Sequence, residues 1–177
     1  HEFNLNIKKS ALFAAGVFLA GVVGDTVGGI LSDRILRKTG DVGKARISVI
    51  VLGFLGSFCF MLPILFFHDL NIVATCLSFA FFFAELIVAP IWAIPMDIAP
   101  EFSGSASGFM NFGFGMAGII SPGVFGYAID LTGRWDVPFI GSLAFLLIGA
   151  MLAFTCKPGE RFVDVRNSPS VPRPTPA

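Results

Sequence analysis

Two acids stand where acids are costly. Asp25 and Glu85 each lie deep inside a long apolar stretch. A charge at the centre of a bilayer costs about 3 kcal/mol on insertion scales, and such a residue usually faces a partner or a water-filled path. The chemistry open to it is the binding of a proton or cation, or the recognition of a polar ligand. Glu85 and Trp92 are seven residues apart, which places them on one face of a helix. Pro90 and Pro95 interrupt that helix and free backbone carbonyls near the same face. A structural role for Glu85, as partner to a basic or hydroxyl group on another helix, stays equally open. Asp25 sits among Gly21, Gly24, Gly28 and Gly29. Gly24 and Gly28 are spaced for close helix approach. Asp25 is either a proton or cation site, or a helix-end residue reaching toward the membrane surface.

Asn111 is the polar member of a stripe of small residues, Gly104, Gly108, Gly115, Gly118 and Pro122, on one helical face. Its amide offers both a donor and an acceptor to a ligand. The competing role is interhelical glue in a glycine packing face. A third group, Asp33, Arg34, Arg37 and Lys38, is charged and compact, and falls between the first two apolar stretches.

Enzyme chemistry finds little here. Gly24-Asp25 lacks the further glycine of an intramembrane aspartyl protease motif, because position 22 is Val. No HExxH, GxSxG or Ser-His arrangement occurs. The two histidines, His1 and His68, fall at the chain end and in a turn. Cys59, Cys76 and Cys156 have no metal-site spacing and are expected as small core residues. No metal or cofactor is expected. The formal net charge is zero, and no basic patch with interleaved aromatics suggests nucleic acid.

The elements that must position these residues are membrane helices. The chain is 55% hydrophobic and 14% charged, where a soluble domain carries about a quarter charged residues. Its 21 Phe and 20 Gly suit helices packed in lipid. A span needs roughly 20 apolar residues. Five are expected, over residues 11–31, 47–67, 72–96, 105–129 and 138–156, which together form one all-α polytopic bundle. Residues 1–10 are expected as an external loop. Residues 157–177, with five prolines, are expected as a disordered tail.

Nine of the twelve Lys and Arg residues fall on one side if five spans alternate. The positive-inside rule then places the 32–46 segment and the C-terminus in the cytoplasm and the N-terminus outside. That orientation, with no initiator Met, suggests helices upstream.

The basic segment also carries a resemblance. Gly29-x-x-x-Asp33-Arg34-x-x-Arg37-Lys38 resembles the cytoplasmic-loop signature of the major facilitator superfamily, with Leu36 at a position that is Gly in the signature. The stretch from Pro90 through Trp92, Asp97 and Pro100, continuing with Gly104, Gly108, Asn111, Ser121-Pro122 and Trp135, is similar to the tenth to twelfth helices of its anion:cation symporter branch. The resemblance implies helices eight to twelve of a twelve-helix carrier in the cell membrane. It implies substrate-facing roles for Trp92 and Asn111 and gating roles for Asp33, Arg34, Arg37 and Lys38. Glu85 joins the substrate candidates and Asp25 the coupling candidates from their position alone. The implied function is transport of a small organic anion by alternating access, driven by a proton or sodium gradient, with missing N-terminal helices of the same carrier as partner. A non-transporting membrane sensor or regulatory module is one alternative. A drug efflux carrier, with Glu85 facing cationic cargo, is another.

Overall fold

A computed structural model of the chain describes residues 7–67 and 69–160. Six α-helices appear, with no strand among the described residues: α1 (Ile7–Thr39), α2 (Val42–Met61), α3 (Leu70–Glu85), α4 (Val88–Ile98), α5 (Ser103–Thr132) and α6 (Val137–Ala153). Short 3-10 turns at Leu62–Leu65 and Pro100–Phe102 prolong α2 and precede α5.

The boundaries have local causes. Gly40 takes φ +66°, a left-handed conformation that a side chain disfavours, and its N–H donates to the Leu36 carbonyl at 2.8 Å. Asp41 then caps α2 by accepting from the Lys44 N–H at 2.9 Å. Asp69 caps α3, accepting from the N–H groups of Asn71 and Ile72 at 2.9 and 3.2 Å. Between α5 and α6, Arg134 clasps Asp136 through two hydrogen bonds of 2.6 and 3.1 Å.

Four expected boundaries shift. The basic segment Gly29–Lys38 is not a loop but the last turns of α1. It contains no helix breaker after Gly29, and Arg37 and Lys38 suit the negative end of the helix dipole. Residues 7–10, expected as loop, are helical too, whereas residues 1–6 lie outside the described residues. The expected third span is two helices, broken at Leu86–Ile87. Pro90 has no N–H for the Leu86 carbonyl four residues earlier, and its ring crowds that carbonyl. The fifth expected span ended at residue 156, but α6 stops at Ala153. Most of the expected tail, residues 161–177, lies outside the described residues, as does His68.

Four segments are long and apolar enough to cross a membrane: Ala11–Thr39, Val42–Leu65, Leu70–Ile98 and Pro100–Thr132. The 17-residue α6 is a shorter apolar helix. α1 packs on α2, α3 and α4; α2 also meets α3 and α6; α5 leans on α4 and α6. The tightest seam is α1 against α3. A Cβ at Gly24 or Gly28 would collide with the carbonyl oxygen of Phe82 or Leu86. Those glycines let backbone meet backbone where the α3–α4 break lies. A small apolar core joins Ile50, Ile87 and Ala153, with Phe54 and Ile91 against it. The phenylalanines of α3 knit it to its neighbours, Phe79 and Phe83 stacking on Phe60 and Phe81 meeting Phe18 edge-on. Cys59 and Cys156 are exposed and Cys76 is half-buried, so none of the three is a core residue of this bundle. An outward apolar surface is what lipid or further helices would cover.

Candidate functional site

The charged groups gather at one end of the bundle. Arg46, near the start of α2, is buried, with its side chain 9% exposed. Its guanidinium reaches two other helices. Nε donates to Asp97 Oδ2 of α4 at 2.9 Å, and Nη1 donates to Asp33 Oδ1 and Ser32 Oγ of α1 at 3.0 and 2.8 Å. Ser32 is fully buried and donates onward to the Ala45 carbonyl at 3.3 Å. An arginine fork satisfies several acceptors at fixed angles, which a lysine cannot do. The arrangement is a clasp that ties α1, α2 and α4 together at this end.

Of the four residues expected in a gate, Asp33 joins the clasp. Arg34, Arg37 and Lys38 point outward on the last turns of α1 and form no ion pair among the described residues. The α1 helix continues through Asp33, so Arg34 falls on another face, whereas Arg37 shares the face of Asp33 one turn on but forms no ion pair with it. Arg46 and Asp97 were missed as site residues. The signal available was a lone Arg and a lone Asp, each at the end of an apolar stretch and on the same expected side of the membrane.

The two membrane acids lie along one seam. α1 and α3 meet along Gly21, Gly24 and Gly28. A Cβ at Gly21 would stand 3.0 Å from Glu85 Cγ. Asp25 lies one turn further along α1, beside Gly24 of the same seam. Asp25 Oδ1 is wholly buried and has no hydrogen-bond partner among the described residues.

Glu85 and Trp92 do not share a face of one straight helix, because the chain breaks between them. Glu85 faces α1, whereas Trp92 stacks on Phe114 of α5 with ring centroids 6.0 Å apart. Asn111 is exposed on α5, one turn before Phe114. Trp92 and Asn111 therefore lie near one seam, and Glu85 lies on another. On the glycine stripe, Gly104, Gly108, Gly115 and Gly118 have open space where a Cβ would stand. No described residue packs on that face, so the packing role expected for it has no partner within this bundle. No cluster of three or more metal-ligating side chains occurs among the described residues.

Comparison with known proteins places this geometry in a family. Over 153 residues the chain is 47% identical to the probable sulfoacetate transporter SauU of Cupriavidus necator, covering 86% of the chain and 36% of that protein. It is 32% identical over 152 residues to the probable galactarate/D-glucarate transporter GudP of Escherichia coli, covering 84% and 32%. It is 29% identical over 169 residues to the hexuronate transporter of Bacillus subtilis, covering 92% and 38%. The chain thus spans about a third of the length of these relatives. The Major Facilitator Superfamily matches residues 1–177. With its all-helical bundle and apolar spans, the chain belongs to the Major Facilitator Superfamily.

Proposed function

We propose that this chain forms the C-terminal part of a secondary carrier that moves a small organic anion by alternating access, coupled to a proton or sodium gradient. The observation that carries the proposal is the Arg46 clasp to Asp33 and Asp97. It joins three helix ends with buried, directional hydrogen bonds, yet two of its acids reach water. Such a contact can hold in one state and part in another.

The similarity to SauU and GudP supports a carboxylate or sulfonate substrate within the sugar-acid and small-acid class. Trp92 supplies an apolar wall to the substrate and Asn111 a donor. Glu85 was grouped with them, but its seat against α1 supports a coupling role beside Asp25. Asp33 acts through Arg46 in the cytoplasmic gate. Arg34, Arg37 and Lys38 are free at the same end to pair with acids of the upstream helices. Those helices supply the cation that meets the anion. The C-terminus lies in the cytoplasm.

The test is uptake into cells making the complete carrier that contains this segment. Labelled sulfoacetate, D-glucarate and a hexuronate are offered, with lipophilic cations as competitors. Anion uptake, dissipated by collapsing the ion gradient, is expected. Cation export without anion uptake would point to efflux. Membrane insertion without any flux would point to a sensor.

A further inference from the structure

At the charged end of the bundle a groove runs between the start of α2 and the segment that follows α6. It encloses about 380 Å³, lined by Lys44 and Ile47 of α2 and by Phe154, Cys156, Lys157 and Glu160 beyond α6. Pro158 is fully buried, so this segment lies against the bundle. The groove shares no residue with the Arg46 clasp or with the Trp92–Phe114 seam.

Its walls change character with depth. The side chains of Lys44 and Lys157 are 74% and 71% exposed, so both ammonium groups stand at the mouth. Ile47, three residues further into α2, and Phe154, three residues before Lys157, form the apolar lining. Val42 opens one apolar span and Ala153 closes an apolar helix. The lysines therefore mark the level at which both helices leave hydrocarbon. In a bilayer that is the level of the lipid headgroups.

The lysines keep donors to spare. Lys44 Nζ meets Asp41 Oδ2 at 3.4 Å, and Lys157 Nζ meets Glu160 Oε1 at 2.9 Å. Exposed pairs of this kind hold weakly and exchange readily. An ammonium has three donors, so each keeps two after its pair. Asp41 is also occupied as the α2 cap, with Oδ1 on the Lys44 N–H. Of the charged groups that line the groove, two ammoniums stand against the single carboxylate of Glu160, a surplus of one positive charge.

The matching ligand brings one negative charge at the mouth and an apolar chain beneath it. A free phosphate ester would cover the lysines and leave Ile47 and Phe154 bare. A zwitterionic lipid would cover the apolar wall, but its own cation opposes the surplus charge. We propose that this groove binds one anionic phospholipid, its phosphodiester between Lys44 and Lys157 and an acyl chain along Ile47 and Phe154. The site needs only a bilayer around the bundle, on whichever side this end faces, and stands apart from the carrier function. A lipid held there ties the end of α6 to the start of α2, two residues from Arg46.

The test is retention of lipid by the full chain. The chain is released from nanodiscs holding equal amounts of phosphatidylglycerol, phosphatidylethanolamine and phosphatidylcholine. Native mass spectrometry then identifies the lipids that stay bound. One phosphatidylglycerol per chain is expected, roughly tenfold over either zwitterionic lipid. Lys44→Gln with Lys157→Gln should abolish that preference. Arg37→Gln with Lys38→Gln, the same loss of charge at the same end, should keep it. All four side chains belong to exposed residues, so the bundle should fold in both variants. Cys156 reports the place. Its alkylation by a maleimide should slow when phosphatidylglycerol replaces phosphatidylcholine, in the wild type and not in the lysine variant. Equal retention of the three lipids, or phosphatidylglycerol that stays in the lysine variant, overturns the site. Equal loss in both variants reduces the effect to the general charge of this end and overturns the groove. Displacement of the lipid by glycerol phosphate overturns the lipid and makes a soluble phosphate ester the ligand.

Discussion

Arg46 Nε donates to Asp97 Oδ2 at 2.9 Å, across 51 residues of sequence. The bond fastens the start of α2 to the end of α4, and the same guanidinium holds α1 through Asp33. Removing one partner of a buried pair leaves the others uncompensated, at a cost of about 3–5 kcal/mol. Asp33 is more than half exposed, so the lower end of that range applies here. Arg46→Ala should therefore destabilise the bundle by about 3 kcal/mol. Arg46→Lys should recover only part, because one ammonium cannot reach three acceptors in a fork. Unfolding in nanodiscs measures both. Wild-type stability in Arg46→Ala would remove the clasp from the account.

The glycines of α1 and α5 should answer differently to the same substitution. Gly24→Ala and Gly28→Ala drive a methyl into a carbonyl oxygen of the facing helix. Overpacking of this kind costs about 1–3 kcal/mol. At Gly118 a Cβ meets nothing within 4 Å. Gly118→Ala should gain up to about 1 kcal/mol from helix propensity. Paired melting curves decide. Equal losses at all three positions would mean that the seam is not where the bundle is tight.

Trp92 and Asn111 should separate binding from turnover in the complete carrier. Asn111→Ala removes a hydrogen-bonding group and should raise KM roughly tenfold, the equivalent of about 1.4 kcal/mol. Asn111→Asp should do worse, since it sets a negative charge against an anion. Trp92→Phe keeps a ring to stack on Phe114 and should remain near wild type, whereas Trp92→Ala should not. Initial uptake rates over a substrate series measure this. An Asn111→Asp variant that matches Asn111→Ala would move the anion elsewhere.

Much of the scaffold was legible in residue order. Apolar stretches gave the helices, and Asp41, Asp69 and Gly40 mark ends by rules that need no tertiary contact. The break ahead of Pro90 was also foreseeable, though it falls four residues earlier than the proline itself. The partners of the charges were not legible. Asp33 had two arginines nearby in sequence, and only three-dimensional packing brings Arg46 closer than either. Glu85 and Trp92 fit one helical face on paper, and the break at Leu86–Ile87 turned them apart. Periodicity holds within an element and fails across a discontinuity. The seat of Glu85 against Gly21 was likewise hidden, since it depends on which glycine of α1 meets which turn of α3.

Asp41 gives the bundle a pH-dependent joint. The Lys44 backbone N–H, hydrogen-bonded to its carboxylate, holds Asp41 below its ordinary value of 3.8, with the Lys44 ammonium adding to the effect. A folded-state value below the unfolded one gives stability that is present above the unfolded value and lost as pH falls through the folded one. The start of α2 should therefore hold at neutral pH and loosen only in the acid range, below pH 3.8. Hydrogen exchange at the Lys44 amide reads this locally. Asp41→Asn keeps a capping oxygen without the titration, so protection of that amide should become nearly flat with pH. Asp41→Ala should leave the amide unprotected at every pH. A pH dependence that survives in Asp41→Asn would assign the joint to another group.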